Sequence, residues 1–486
     1  MDQTSHTATR PADGSRVAVV VIASAAFITS LAQALVVPVL PSLPDRLAVS
    51  ASAASWLVTI TVILGAVANP LLSRLGDRHG RKQLLLASIG AFVVGSVICA
   101  VTDEFAVLLV GRAVQGLSTA SIPLGIGLIA GIVEPSRRSS GIALVSATLG
   151  VGGAAGLPLA GVLTAGWGLP GVFWASAAVG ALALIATTVL VPEASTAPHR
   201  GRTDLLGTAL LAIALAAALV PLSQGTTWGW TSPATLGLFA LAAITLVGFV
   251  RWELRTRDPV VDIRLAACRP ILLTNLVGVL LGIGFFISFL STITLLQLPE
   301  SSGGFGRSIV QAGVLVLPSG AAMAVLAPMG GRIVSRHGAR STLLIACGSA
   351  LLGFVVFATA RTELWQLVLS AVVVWGGVSM AYAAMPALII DLAPPPQSAA
   401  ASGINALARN LGSASGSAVF GLFAGATAPS TSESTTLGVV GAATAAAALL
   451  VALTLPRVGI RAGVPDPPDE PVVKPVGSAD EESVYR

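Results

Sequence analysis

Two arginines stand where arginine is costly. Arg112 lies several residues inside the apolar stretch 105–130, and Arg409 about nine residues inside the stretch 400–426. At 1.5 Å per helical residue the second guanidinium would sit roughly 13 Å deep. Placing a guanidinium at the centre of a span costs roughly 2.5–3.5 kcal/mol, so the group faces a bundle interior or an aqueous cavity. There it is either a fixed charge that organises a cavity or biases proton binding, or a structural clamp that holds carbonyls or neighbouring helices. Asn405 precedes Arg409 by one turn and shares its face. Gln33 and Gln115 are uncharged polar groups in apolar stretches, suited equally to lining a substrate path and to joining helices.

Bond-breaking chemistry has no comparable foothold. The chain has no H-E-x-x-H, no G-x-S-x-G and no Walker loop, which argues against an enzyme and against an ATP-driven pump. Gly150-Val-Gly152-Gly153-Ala-Ala155 fits a G-x-G-x-x-A pattern, but it lies within an apolar stretch with no strand before it, so no nucleotide cofactor is expected. Cys99, Cys268 and Cys347 are odd in number and scattered, without metal or disulfide spacing. All 22 acids fall in loops, tails or the ends of apolar blocks, Glu253 and Asp391 being the deepest. The four histidines also lie outside the blocks. A proton carrier embedded in the membrane is therefore not visible.

These polar residues are positioned by apolar blocks. Of 486 residues, 54% are hydrophobic and only 10% charged, against roughly 25% charged in soluble proteins. The blocks run 17–43, 53–73, 83–101, 105–130, 139–164, 171–191, 204–222, 234–251, 271–297, 309–333, 341–360, 364–390, 400–426 and 436–456. About 20 apolar residues cross a bilayer as a helix, so the reading is an all-α polytopic membrane protein with fourteen transmembrane helices. The first block is too long for a secretory h-region and is read as a retained span. With the N-terminus inside, 22 of the 27 lysines and arginines fall in cytoplasmic segments and three opposite, which also places the C-terminus in the cytoplasm. The net charge of +5 is thus an orientation signal and not a nucleic-acid face. Residues 457–486, rich in proline and acids, read as a disordered cytoplasmic tail.

The chain contains an internal duplication. Arg74, Arg78, His79 and Gly80 recur as Arg332, Arg336, His337 and Gly338 at an offset of 258. Val114 and Gly116 recur as Val374 and Gly376 at 260, and Ser140-Gly-Ile142 recurs as Ser402-Gly-Ile404 at 262. The organisation is a cytoplasmic tail (1–16), a six-helix bundle (17–191), a linker with two inserted helices (192–270), a second six-helix bundle (271–456) and the C-terminal tail (457–486). Two parallel six-helix repeats about an axis along the membrane normal form the arrangement of major facilitator transporters, with the substrate path between halves. Arg112 matches Val372 at the offset of 260, so duplication alone does not require it.

Local motifs carry the same likeness. Gly76-Asp77-Arg78-His79-Gly80-Arg81-Lys82 resembles the major facilitator signature between helices two and three. Leu109-Val-Gly-Arg112-Ala-Val-Gln115-Gly116 resembles the fourth-helix motif of drug:proton antiporters. The fourteen-span count, Trp228-Gly-Trp230-Thr-Ser-Pro233 and Arg409-Asn-Leu-Gly412 resemble the fourteen-helix antiporter subfamily. Three positions depart from the pattern: Ser73 replaces a glycine, Gly156 and Pro158 are separated by Leu157, and the first helix lacks the usual acid over 31–41. The resemblance implies a conformational latch at Asp77, Arg78, Gly80 and Arg81, and a gating helix carrying Gly152, Gly156 and Pro158. Asp77 is expected at the N-terminus of the third span, where the helix dipole favours a carboxylate. Gly412/Gly416 and Gly421/Gly425 read as the counterpart in span thirteen.

The expected function is export of small hydrophobic or amphipathic compounds from the cytoplasm across the inner (plasma) membrane by a monomer embedded in the lipid bilayer. The resemblance implies proton influx as the driving force. The residues leave three options: a loop or span-end carboxylate such as Asp45 or Asp391 titrates, protons bind through water organised by Arg112, or transport is uncoupled from protons. A metabolite importer or uncoupled facilitator on the same fold is the alternative reading. The charge tally makes one outcome explicit. A green fluorescent protein fused after Arg486 fluoresces in cells, whereas a periplasmic phosphatase fused there is inactive.

Overall fold

Backbone in hydrocarbon finds no water, so an apolar segment closes its hydrogen bonds internally as a helix. The computed structural model describes residues 11–36, 43–49, 51–193, 204–256, 259–392, 398–424 and 431–456, and their regular structure is entirely helical. In order come α1 (Pro11–Val36), the short α2 (Leu43–Leu47), α3 (Ala51–His79), α4 (Arg81–Ala100), α5 (Phe105–Gly116), α6 (Ser121–Ile132) and α7 (Pro135–Leu190). The insert supplies α8 (Leu205–Trp228) and α9 (Pro233–Glu253), followed by the short α10 (Ile263–Ala267). Then follow α11 (Arg269–Gln297), α12 (Ile309–His337), α13 (Ala339–Thr359), α14 (Leu364–Leu392), α15 (Ser398–Ala424) and α16 (Thr431–Leu453).

Among the described residues, eleven helices are long and apolar enough to cross a membrane. The expected blocks 139–164, 204–222 and 400–426 are not among them. The first is the leading half of α7, the second contains a shorter apolar helix over Leu206–Leu222, and the third is α15, interrupted by Asn405, Arg409 and Asn410. Two junctions differ in form from uniform spans. Block 105–130 passes through a 3-10 turn at Leu117–Ala120 between α5 and α6. Blocks 139–164 and 171–191 are two helices of α7 that meet at Gly168, whose φ of 65° only glycine adopts without strain.

The repeat is visible in the packing. Leu85, Leu124, Leu128, Ile142 and Val145 belong to one core built with α1, α4, α6 and α7. Val277, Leu281, Leu343, Phe354 and Trp375 belong to another, built from α11 to α16. In each half the glycine-bearing helix lies directly against the first helix. A Cβ on Gly152 would meet Leu31 N and Ser30 Cβ of α1 at 2.7 Å, and Gly156 packs on Leu31 and Ala34. Gly412 and Gly416, each 260 residues later, pack on Val279 and Ile283 of α11. Small residues at four-residue spacing permit this approach of backbones.

The inserted pair is a hairpin with legible turn chemistry. Gly229 ends α8 at a φ of 87°, Ser232 caps α9 by accepting from Thr235 N, and Pro233 fills the first helical turn. Its apolar face does not stand apart from the bundle. Leu211, Leu215 and Leu219 of α8 and Phe249 of α9 cluster with Ile63 and Ala66 of α3 and with Ile404, Leu407 and Leu411 of α15. The hairpin therefore leans on one helix from each half.

The glycine contacts give a paired test. Gly152→Ala is expected to destabilise the purified protein by about 1–3 kcal/mol through overpacking, read as a lower melting temperature in detergent. Gly153→Ala, where a Cβ meets nothing within 4 Å, is expected to melt as the native protein does.

Candidate functional site

A cavity of about 260 Å³ lies between the halves. Its walls include Ser30, Thr59, Thr61, Asn69 and Arg112 from the first half and Phe285, Phe286, Phe289, Trp375 and Arg409 from the second. Among the described residues no aspartate, glutamate or histidine lines it. Helices from the two halves meet on either side of it. Gly403 of α15 lies against Asn69 O and Ser73 Oγ of α3, and Gly161 of α7 against Val310 of α12.

Arg112 is 2% exposed and is held through two of its guanidinium nitrogens. Its Nε donates to Leu57 O at 3.0 Å, and its Nη1 donates to Gln115 Oε1 at 2.7 Å. Gln115 Nε2 in turn donates to Ser96 Oγ at 2.7 Å, and Thr61 Oγ1 donates to Arg112 O at 3.1 Å. These bonds tie α5 to α3 and α4 and solvate the cation without a carboxylate. Gln115 thus acts on Arg112, three residues away on the same face, and does not line the cavity.

Arg409 is 4% exposed and differently placed. Its Nε has no hydrogen-bond partner, and its guanidinium carbon lies 4.7 Å from the centre of the Tyr382 ring, a cation–π contact. Asn405 on the same face donates from Nδ2 to Asn275 Oδ1 at 3.1 Å, leaving its own Oδ1 without a partner. The Tyr382 hydroxyl is likewise unpartnered. Asn275 and Tyr382 were not singled out by sequence. Each is an isolated polar residue in an apolar helix, which is the available signal. Phe285, Phe286, Phe289 and Trp375 form an aromatic wall, with Phe285 and Phe289 each 5.5 Å from Trp375 between ring centres. Gln33 lies on α1 and Pro158 on α7, but their side chains fall outside the described residues, as do those of Asp45 and Asp391.

The latch residues stand away from the cavity. Asp77 sits in the last turn of α3 and not at the start of the next helix, because Gly80, at a φ of 111°, ends one helix and Arg81 begins the other. The helix dipole is unfavourable there, so its charge is held by pairing. Arg81 Nε donates to Asp77 Oδ1 at 2.8 Å with both side chains almost fully buried. Arg81 Nη1 also donates to Gly127 O at 2.6 Å on α6, and Lys82 Nζ donates to Thr188 O at 3.1 Å on α7. Arg78 also makes an interaction at this loop. Glu253 is buried at the end of α9, where its carboxylate approaches Asp204 across Gly207. Neither Glu253 oxygen closes a hydrogen bond, although the Val260 and Val261 amides lie nearby, and the residue does not line the cavity.

Two helical halves around a central cavity, with helix-packing glycines repeated in each, are the arrangement of a membrane transport protein. The chain belongs to the Major Facilitator Superfamily, whose family description matches residues 22–417 and 280–479. It is 28% identical over 385 residues to the multidrug resistance protein Stp of Mycobacterium tuberculosis, covering 79% of this chain and 71% of that one. It is 26% identical to the tetracenomycin C resistance and export protein of Streptomyces glaucescens, covering 87% and 79%. It is also 26% identical to the multidrug export protein EmrB of Escherichia coli, covering 67% and 64%. The crystal structure of the human organic anion transporter MFSD10 (TETRAN) superposes with a TM-score of 0.65 at 18% identity, covering 90% of this chain and 99% of that one, a likeness of fold.

Two substitutions test the geometry. Arg81→Ala removes the buried cation that pairs with Asp77 and is expected to destabilise the protein by roughly 3–5 kcal/mol, seen as a marked fall in melting temperature. Asp77→Asn keeps the shape of the turn and is expected to slow transport while leaving substrate binding largely intact, measured by uptake and by equilibrium binding on the same preparation.

Proposed function

We propose that this protein exports small hydrophobic or amphipathic compounds from the cytoplasm by alternating access. It would do so as a fourteen-helix monomer in the inner (plasma) membrane with both termini cytoplasmic. The observation that carries the reading is the cavity between the halves, walled by aromatic and aliphatic side chains with a few convergent polar groups. Such a lining suits small ligands that are mostly apolar. Kinship with proteins named for multidrug resistance, multidrug export and tetracenomycin C export supports efflux over uptake.

In this reading Arg112, with Gln115 behind it, is a fixed element of the cavity wall, and Arg409, with Asn405 one turn away and outside the lining, is the facing polar group. Gly152 and Gly156 let α7 slide on α1 as the halves rock, and the Asp77–Arg81 pair holds the α3–α4 junction in one arrangement. Proton influx rests on kinship alone, since among the described residues none that lines the cavity is an acid or a histidine.

Inside-out vesicles test export directly. Vesicles containing the protein are expected to take up hydrophobic or amphipathic compounds from a broad panel, and vesicles without it are not. In cells, deletion is expected to raise susceptibility to a subset of the same panel. Absence of uptake for every compound under both a pH gradient and a solute gradient would overturn the reading.

A further inference from the structure

We infer that the cavity takes amphipathic organic anions, and that the substrate's own charge, moving outward across an inside-negative membrane, drives export without a coupled proton. The inference rests on the export reading and names its substrate class and energy source. Two cations, Arg112 and Arg409, share one cavity with no carboxylate in its lining among the described residues. Among the described residues the titratable group facing Arg409 is Tyr382, and the one facing Arg112 is Cys99. Both are ordinarily neutral at neutral pH, so neither supplies a counter-charge.

The two arginines are not equivalent. Arg112 is solvated by Leu57 O and Gln115 Oε1, so its charge is fixed structurally and its field reaches the cavity. Arg409 has an aromatic face on one side and no acceptor for Nε. A buried guanidinium in this condition lacks what an anionic oxygen supplies, because guanidinium donors match carboxylate, sulfonate or phosphate oxygens. Tyr382, whose ring covers the guanidinium, also has a hydroxyl without a partner. Phe285, Phe286, Phe289 and Trp375 give the apolar body of such a ligand a place to lie. A cationic substrate would instead enter a cavity that already holds two positive charges.

This composition also accounts for the missing embedded acid. An antiporter that expels a cation against an inside-negative potential needs an exchanged proton and a group to carry it. An anion leaving the same cell moves down the electrical gradient, at roughly tenfold accumulation per 60 mV. No proton carrier is then required in the path.

The test uses the full chain in proteoliposomes, with the membrane potential set by valinomycin and potassium gradients. The probes are 1-pyrenesulfonate and 1-pyrenyltrimethylammonium, matched in apolar body and opposite in permanent charge. A sulfonate stays ionised throughout the working pH range, so a pH gradient cannot load it. At equal pH and an interior-positive potential of about 120 mV, the anion is expected to accumulate about 100-fold. A pH gradient at zero potential is expected to drive none. Arg409→Gln is expected to lower anion accumulation at least tenfold and to admit the cation, while Arg409→Lys retains part of the anion uptake. Both variants are checked for native melting behaviour, and the preference of the native protein needs neither. Preference of the native protein for the cation overturns the substrate class. Anion uptake that follows the pH gradient and ignores potential overturns the driving force. If neither probe moves while the broad panel enters inside-out vesicles, the anion inference fails and export stands. If nothing moves in either system, export itself fails.

Discussion

A charged group carried into hydrocarbon has to be solvated by the protein, and that constraint organises the centre of this molecule. Arg112 meets it with a backbone carbonyl and a glutamine that is itself held by Ser96. The consequence is mechanical as well as electrostatic. Three helices are fixed to one another by the side chains that solvate one cation, so the first-half wall of the cavity is rigid where it is charged. Arg409 meets the constraint only in part, through the face of Tyr382. The second-half wall therefore keeps a guanidinium with an unused donor, Nε.

The two halves share a skeleton but not a chemistry. Gly80 and Gly338 both break a helix at positive φ, and Gly152/Gly156 and Gly412/Gly416 both seat a helix on the first helix of their half. Lys82 and Arg340, at the same offset of 258, both donate to a carbonyl near the end of a later helix in their own half, Thr188 O and Leu453 O. The charges diverge on this common frame. Asp77 and Arg81 correspond to Ser335 and Ala339, so the buried ion pair belongs to the first half. Arg112 corresponds to Val372. Symmetry is kept where backbones must pass closely and abandoned where a single site between the halves needs only one copy of a group.

The helical architecture was legible in the sequence because length and hydropathy translate directly into helices in a bilayer. The repeat was legible because glycines and arginines at junctions have few substitutes. Burial cost alone marks Arg112 and Arg409 as interior groups, whether cavity charges or structural clamps, and both stand in the cavity lining. Their partners could not be read in this way. Nothing in the spacing of Gln115 distinguishes a lining residue from one that supports Arg112, since the choice depends on where α4 places Ser96. Tyr382 and Asn275 became part of the Arg409 surroundings only through the packing of α11, α14 and α15. Asp77 was misassigned because the helix boundary falls at Gly80, three residues later, and a local dipole argument changes sign across that boundary.

The inserted hairpin has a further consequence. Its apolar face rests on α3 from one half and α15 from the other, so any rocking of the halves must shear this contact or carry the hairpin along with one side. The hairpin behaves as a leaf spring laid across a hinge. If the halves alternate between two end states, its stiffness, set by residues such as Leu211, Leu215 and Phe249, would add to the energy that separates them. Turnover speed would then be open to change at Leu211, Leu215 and Phe249, which stand outside the cavity lining.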